Sequence, residues 1–443
     1  MGELFQAGQI ELTKCEITPA GGGKAIDVAG VVKGFEVVED IFSNHLTASV
    51  GFQEGYGLIA KDTILGCGDK LELSFKTPGK KEISVELYSY HITPRYQADT
   101  RMDAYTMNFM AKEAFTNQFK RISKYYEGTI TDIIQEIATE ELEMDLTVDV
   151  SSDAEVKLII PNWNPMQAIH WLMARCISSD NAWDNNFILY QDLEMKYKLT
   201  TVGKLFEESP VFGSPDEGYR HGRIDATKDE EDKLKQATFW HCESVNHIQQ
   251  IGEGHDYVST LTHDWTRKYF TVSEYKAKDN FDSATMLLDQ RLRQEAENGD
   301  NPYKDIYDEQ PTTYRYQPKS QYLFDLEEDK SGQDKVGKDD APEDGYDWLS
   351  SKVHQNWRVR SMVCMIEGPG WSERKAGEVI SITREDHQEE GDNDSKREEK
   401  DDKLAYGNFL AVSCKHKYSA LGAQHHGSGY TTVIQGLRDS VKG

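Results

Sequence analysis

At both ends of the chain, apolar and polar residues alternate one for one in short runs cut by turns. Leu71-Glu72-Leu73-Ser74-Phe75 stops at Thr77-Pro78-Gly79, Ile83-Ser84-Val85-Glu86-Leu87-Tyr88 follows, and Tyr105-Thr106-Met107-Asn108-Phe109 repeats the pattern. A period of two puts successive side chains on opposite faces of a strand, so one face of each run meets a core and the other meets water or a partner. Ile26-Asp27-Val28 and Val37-Val38, flanked by Gly21-Gly22-Gly23 and Gly34, extend the set. The last ninety residues or so return to it in Trp357–Cys364, Ala376–Ile382, Phe409–Cys414 and Tyr430–Ile434. Short strands with turn signals about every ten residues predict an antiparallel barrel or sandwich at each end.

Between these ends the period changes. Ile130, Ile133, Ile134 and Ile137 form the stripe of an amphipathic helix, with Thr129 as its N-cap and Asp132 near its positive end. A second helix is predicted from Asn164-Pro165, with Asn164 capping, Pro165 in the first turn, Gln167 at capping-box spacing, and Ile169, Leu172, Met173 and Cys176 as its buried stripe. Phe187–Tyr190 and Met195–Leu199 read as two strands, which makes this stretch a small α/β domain. Residues 205–250 are β-like again. A helix is expected near 281–296, with Ala284, Leu287, Leu288 and Arg291 at helical spacing. The stretch 325–347 reads as a polar loop with ten acids against three lysines, and 384–403 as a second charged loop with ten acids and five bases.

Charge excludes several functions. With 77 acidic and 50 basic residues the formal net charge is −27. A chain this acidic does not grip nucleic acid by its phosphates, and anionic membrane surfaces repel it. With 443 residues the chain exceeds one compact core, so several domains are expected. No run of about 18 apolar residues predicts a membrane span, and the N-terminus carries no basic region followed by an apolar run, so a soluble protein made and kept in a cytoplasm is expected.

Candidate chemistry is sparse. The six cysteines, Cys15, Cys67, Cys176, Cys242, Cys364 and Cys414, form no C-x-x-C pair and read as small hydrophobes. His241-Cys242-Glu243 with His247, and His255 with His263 and Asp264, fit no helical metal-binding spacing. His425-His426 sits among Gly422, Gly427 and Gly429, a hairpin composition. The acid pairs Glu207-Glu208, Glu327-Glu328 and Glu389-Glu390 arise by chance at this acid density, whereas a glycosidase needs two carboxylates facing one sugar. Gly21-Gly22-Gly23-Lys24 lacks the first glycine of a phosphate loop, and Ala25 stands where Ser or Thr would hold magnesium. No catalytic, cofactor-binding or metal residue is assigned, and no cofactor is expected.

A resemblance decides among the remaining readings. Lys120-Arg121-Ile122-Ser123-Lys124-Tyr125-Tyr126-Glu127-Gly128-Thr129-Ile130-Thr131-Asp132-Ile133-Ile134 resembles the segment that follows the first barrel in the central hub proteins of contractile-tail phage baseplates. Ile159-Ile160-Pro161-Asn162-Trp163-Asn164-Pro165-Met166-Gln167-Ala168-Ile169-His170-Trp171-Leu172 is similar to that family's P-x-W-x-P-x-x-A-I-x-W-L stretch. Gly66–Pro78 resembles its first barrel and Gly407–Tyr418 its C-terminal part. The likeness covers roughly residues 25–205 and 355–440.

The resemblance implies a mainly β chain with α/β insertions (α+β), carrying two tail-tube-like antiparallel β-barrels. Residues 1–122 would form the first barrel, 123–204 the small α/β domain, 205–250 with 352–443 the second barrel, and 251–351 an inserted domain. Three copies would close a pseudo-six-fold ring joining the six-fold tail tube to a three-fold central spike, here a separate polypeptide. That ring is a structural part and not an enzyme. Its partners would be the spike, the tail tube or distal tube protein, the tape-measure protein and other baseplate components, with no specific nucleic-acid binding and no membrane insertion. It would be assembled in the host bacterial cytoplasm and reside in the virion tail baseplate, where an acidic lumen would let DNA slide through. A tail-associated cell-wall hydrolase, and the hub of a non-phage contractile injection system such as the related type VI spike proteins, are the alternatives.

Overall fold

A computed structural model describes residues 8–55, 66–99, 101–152, 155–180, 184, 186–211, 362–384, 407–420 and 429–438, together with the backbone of short strands between 219 and 336. The expected helix near 281–296, the charged loop at 385–403 and most of 251–351 lie outside the described residues.

The N-terminal strands are β1 (Glu11–Thr18), β2 (Ile26–Asp27), β3 (Val32–Asp40), β4 (Thr47–Gly55), β5 (Lys70–Lys76), β6 (Ile83–Ile92), β7 (Tyr96–Asp99) and β8 (Met102–Met110). Alternation makes each of them two-faced. In β3, Phe35 and Val37 point inward while Glu36 and Val38 stand on the outer face. The inward residues, with Ile17, Val50, Phe52, Leu73, Phe75, Val85, Met107 and Phe109, build one apolar cluster. The β5–β6 connection falls at the Thr77-Pro78-Gly79 turn, with Gly79 in the left-handed region (φ 75°).

Residues 112–119, expected to be β, form a helix instead, α1 (Lys112–Phe119), none of whose residues is buried. Lys-Glu-Ala-Phe-Thr-Asn-Gln-Phe lacks the β-branched alternation of its neighbours, so nothing in it demands a sheet. Then β9 (Ile122–Thr129) leads into α2 (Ile130–Glu136), which ends in a π-helical turn at Ile137–Glu141. Thr129 caps α2 as expected, its hydroxyl oxygen accepting the Asp132 amide at 3.2 Å. Thr129→Ala should therefore cost about 1 kcal/mol, read as a lower denaturant midpoint at unchanged m-value.

Strands β10 (Leu146–Val148) and β11 (Glu155–Trp163), helix α3 (Pro165–Met173), strands β12 (Phe187–Gln191) and β13 (Tyr197–Thr201) and the short α4 (Val202–Phe206) complete the middle unit. β9 and β11 form a two-stranded antiparallel ribbon, and β10, β13 and β12 a three-stranded sheet. Ile133, Ile134, Ile137, Ile169 and Leu172 pack between them in a second apolar cluster. Asn164 stands at the N-cap of α3 but does not cap it with its side chain. The cap comes from α1, where Asn117 Oδ1 accepts the Met166 amide at 2.9 Å while Asn164 Nδ2 donates to the Asn117 carbonyl at 2.7 Å. Gln167 is exposed, and Cys176 is buried just beyond the end of the helix.

The remaining strands are β14 (Tyr219–His221), β15 (Trp240–Cys242), β16 (Ser244–Ile248), β17 (Lys268–Thr271), β18 (Tyr314–Gln317), β19 (Leu326–Glu328), β20 (Asp334–Val336), β21 (Met362–Pro369), β22 (Val379–Arg384), β23 (Gly407–Ser419) and β24 (Tyr430–Arg438). β19 and β20 pair antiparallel inside the stretch expected to be loop, because a ladder joins backbone groups whatever the charge of the side chains. A third apolar cluster combines Cys364, Ile366, Ile380, Ile382, Phe409, Leu410 and Ile434 with Ile41 from the N-terminal part and Tyr190, Val202 and Leu205 from the middle unit. The two β-rich ends belong to one continuous 15-stranded sheet, mainly antiparallel, that passes from one to the other through β3 and β23.

Candidate functional site

The sheet repeats itself. In the N-terminal half the spatial order is β3-β4-β8-β6-β5, all antiparallel. In the C-terminal half it is β16-β21-β24-β23-β22, again all antiparallel. Numbered by position along the chain, both read first, second, fifth, fourth, third. A bulge falls at the same point in each, between Ser89 and His91 where β6 pairs β8, and between Ala411 and Ser413 where β23 pairs β24. Inward and outward positions also coincide. Ala48, Val50 and Phe52 of β4 are buried, and so are Cys364, Ile366 and Gly368 at the matching places of β21. The flanking strands differ, since β1 runs antiparallel to β5 while β14 runs parallel to β22.

The seam between the halves is a ladder from Ser413↔Asp40 to Ser419↔Gly34. Gly34 allows the close approach, since a Cβ there would lie 2.7 Å from the Tyr418 carbonyl oxygen. Beside the ladder, Glu39 occupies an inward position of β3 and is fully buried. Its two carboxyl oxygens accept the amides of Ala376 at 2.7 Å and Leu193 at 3.3 Å, so one side chain ties together the N-terminal half, the middle unit and the C-terminal half. Desolvation pushes the Glu39 carboxyl up to about 8; the Ala376 amide opposes this, nearby Asp192 adds to it, and the Leu193 amide and Lys375 oppose it less strongly. A second tie is reciprocal: the Thr77 amide donates to Ser372 Oγ at 3.1 Å and the Ser372 amide to Thr77 Oγ1 at 2.9 Å. Lys80 pairs with Glu373 at 3.3 Å and Lys81 with Glu194 across the same junction.

From the seam across the N-terminal half, the outer face of the sheet is polar and its lysines and glutamates are paired. One cross-strand row runs Lys417, Glu36, Ser49, Asn108, His91 over five strands. Glu36 pairs with Lys415 at 3.3 Å and Lys417 at 3.9 Å, and Asn108 Nδ2 lies 3.1 Å from His91 Nδ1. Neighbouring outward positions of β4 and β8 are Thr47, Gly51, Gln53 and Thr106, all neutral. Further along, Lys70 meets Glu72 and Glu86, and Lys14 meets Glu16 and Glu72.

The groups that could do chemistry are occupied in packing. Cys414 lies 3.5 Å from His416 Nε2, a nucleophile–base spacing, yet both are fully buried. His416 Nε2–H donates to the Arg374 carbonyl at 2.9 Å and Nδ1 accepts the Tyr430 hydroxyl at 2.7 Å, so neither ring nitrogen remains to take a proton. Burial holds the imidazole down to about 4 and drives the thiol well above its usual range. His45 is likewise depressed to about 4 by burial, its Nδ1 2.9 Å from the Tyr197 hydroxyl, which donates to Glu113 at 3.0 Å.

Glu207 and Glu208 follow α4 on the surface, Glu207 paired with Lys204 at 3.5 Å. Gly22 and Gly23 form an open turn in the left-handed region. Cys15, Cys176, Cys364 and Cys414 are buried free thiols, and Cys67 is exposed. His241 and Cys242 lie on β15 and His247 on β16, while Glu243 lies outside the described residues. His255, His263, Asp264, Glu389, Glu390, His425 and His426 lie outside the described residues. Among the described residues, no group of three or more His, Cys, Asp or Glu side chains could hold a metal ion, and no helix is long and apolar enough to cross a membrane. Sequence reading missed Glu39, although the inward phase of Phe35 and Val37 in β3 extends to it.

No family model matches the chain, and no curated protein matches its sequence. Solved structures match its fold. The 43 kDa tail protein of prophage MuSo2 from Shewanella oneidensis superposes with a TM-score of 0.54 over 97% of this chain and 98% of that one, at 9% identity. The tail protein from Neisseria meningitidis MC58 gives 0.52 over 98% of each chain, at 7% identity. The resemblance carried by the proline–tryptophan run holds at the level of fold: this chain has the fold of phage tail proteins.

Proposed function

We propose that the chain is a structural subunit of a baseplate hub, three copies of which close a ring between a six-fold tail tube and a three-fold central spike, with DNA passing through the bore. The repeated five-strand order carries this reading. A chain holding two copies of one sheet module, already joined edge to edge, presents three-fold symmetry to one neighbour and near-six-fold symmetry to another when three chains close. Closure also hides strand edges that would otherwise pair at random. The domain division follows: 1–122 and 205–250 with 352–443 as the two tube-like barrels, 123–204 between them, and 251–351 inserted in the second. Its partners are the spike, the tail tube or distal tube protein, the tape-measure protein and other baseplate components, in a virion tail assembled in the bacterial cytoplasm.

Along the described outer face of the sheet near the seam and β5, the acids Glu16, Glu36, Glu72 and Glu86 are paired with Lys14, Lys70, Lys415 and Lys417 between neutral rows. The passage is therefore proposed as neutral and polar, neither binding phosphates nor repelling them strongly. The buried Cys414–His416 pair and the enclosed Glu39 speak against a hydrolase, whose acid must touch its substrate.

Mass measurement of the purified full chain tests the ring, the expected value being three times 50.5 kDa. An image down the particle axis should show a three-fold annulus with six lobes. A stable monomer, or an assembly without a bore, removes the proposal.

A further inference from the structure

From α1 to α4, charge is satisfied unevenly. Every described lysine of this stretch, from Lys112 to Lys204, pairs with an acid of the same chain. Its two arginines do not. Arg121 is exposed and donates only to the carbonyls of Gln118 at 3.3 Å and Lys120 at 2.9 Å. Arg175 is half-buried, donates to the Trp171 carbonyl at 2.9 Å and stacks on the Trp171 ring at 3.9 Å. Burial lowers its pKa, and no described carboxylate lies near enough to offset this. In a chain with 77 acids against 50 bases, two guanidiniums without a carboxylate are set to meet one from outside.

Both belong to one end of the β9–β11 ribbon. Ile122, next to Arg121, is the cross-strand partner of Trp163, and Trp171 packs edge-on against Trp163 with ring centroids 5.6 Å apart. Phe119, two residues before Arg121, is 85% exposed. Tryptophan and arginine are enriched among the side chains that dominate protein–protein contacts. The opposite end of the ribbon is acidic. There Thr129 pairs with Glu155 and leads into α2, whose first turn carries Asp132. The strand between Ile122 and Thr129 separates the two ends by about 23 Å. Glu155 and Asp132 are exposed, and neither pairs with a basic side chain among the described residues. The middle unit thus carries unmatched cations at one end and unmatched anions at the other.

We infer that the Arg121–Arg175 end of one copy receives the Asp132–Glu155 end of a second copy, head to tail around the ring. Such a contact joins two different patches, the kind that closes a three-membered ring. Each chain carries a net charge of −27, so copies repel one another unless opposite charges meet where they touch. The two ends supply that match. This assignment rests on the ring proposed above and names side chains that close it.

Charge reversal in the full chain tests the contact. Arg121→Glu with Arg175→Glu should lower the measured mass three-fold, to the single chain of 50.5 kDa, with β circular dichroism retained. Asp132→Lys with Glu155→Lys should do the same. The first change makes the chain more acidic and the second less, so a general charge effect cannot produce both. All four changes together exchange the two ends and should restore the trimer, a rescue that no loss of folding can mimic. Because Arg175 packs on Trp171, the exposed Arg121→Glu is also made alone, and should raise the concentration needed for trimer formation about ten-fold. A trimer that survives either double reversal, or a four-site variant that stays monomeric, overturns the contact and leaves the ring standing. A monomeric parent chain overturns both.

Discussion

Replacing Glu39 with alanine should lower stability by about 4 kcal/mol, the largest single-site loss expected in the described structure. Two backbone amides, Ala376 and Leu193, would lose their acceptor in a dry interior, and each orphaned donor costs about 1–3 kcal/mol before the vacated volume is counted. The loss should appear as a collapse of cooperativity between the halves, because the two amides belong to different parts of the chain.

Glu39 also sets a pH dependence of unusual sign. Its carboxyl titrates near 8 in the folded chain against an ordinary 4.5, so between those values the native state holds a proton that the unfolded state has released. Stability from this group is complete below pH 4.5 and is lost as pH rises through 8, by up to roughly 5 kcal/mol. His45 and His416, depressed to about 4, act in the opposite direction, since the unfolded chain binds their protons and stability rises with pH up to about 6.5. The clean window is pH 6.5 to 8, where Glu39 dominates. Denaturant unfolding should show the parent chain losing stability across that window and Glu39→Gln, which cannot titrate, losing much less. Parallel pH profiles for the two would refute the assignment.

Much of this architecture was legible in the amino-acid sequence, for reasons that particular residues make plain. Ile83–Tyr88 and Leu71–Phe75 alternate without interruption, and the structure has strands there. The Ile130–Ile137 stripe and Thr129 cap gave a helix and its first turn, because both signals act within one turn of chain. β1 escaped notice because a bulge between Leu12 and Lys14 breaks its alternation. β4 escaped because Ala48 and Gly51 dilute a pattern that only packing reveals. The cap of α3 comes from Asn117, far away along the chain, and no local rule reaches that distance. The repeat itself was invisible residue by residue: Phe52 answers to Gly368 and Ser49 to Met365. What the halves share is strand order, a bulge and the phase of burial, properties that exist only once the strands are paired.

The proposed neutral passage makes the second large prediction. Ser49 and Asn108 face each other across β4 and β8 at the centre of the outer sheet face, with Glu36 beyond them already engaged by two lysines. Ser49→Lys with Asn108→Lys would add two uncompensated cations per chain, and three chains would present six around the bore. If duplex DNA threads that bore, the variant ring should bind it with a log–log salt slope of about −5, where the parent ring binds little. Particles built with it should release DNA more slowly, and high salt should restore the rate. Tyr125→Lys with Ile159→Lys adds the same charge on the exposed face of the β9–β11 ribbon, where the two residues are cross-strand partners. That ribbon is no part of the proposed passage, so this variant should behave like the parent. Equal DNA retention by the two lysine variants would mean that net charge alone matters, and the β4–β8 face could then no longer be held to line the path of the DNA.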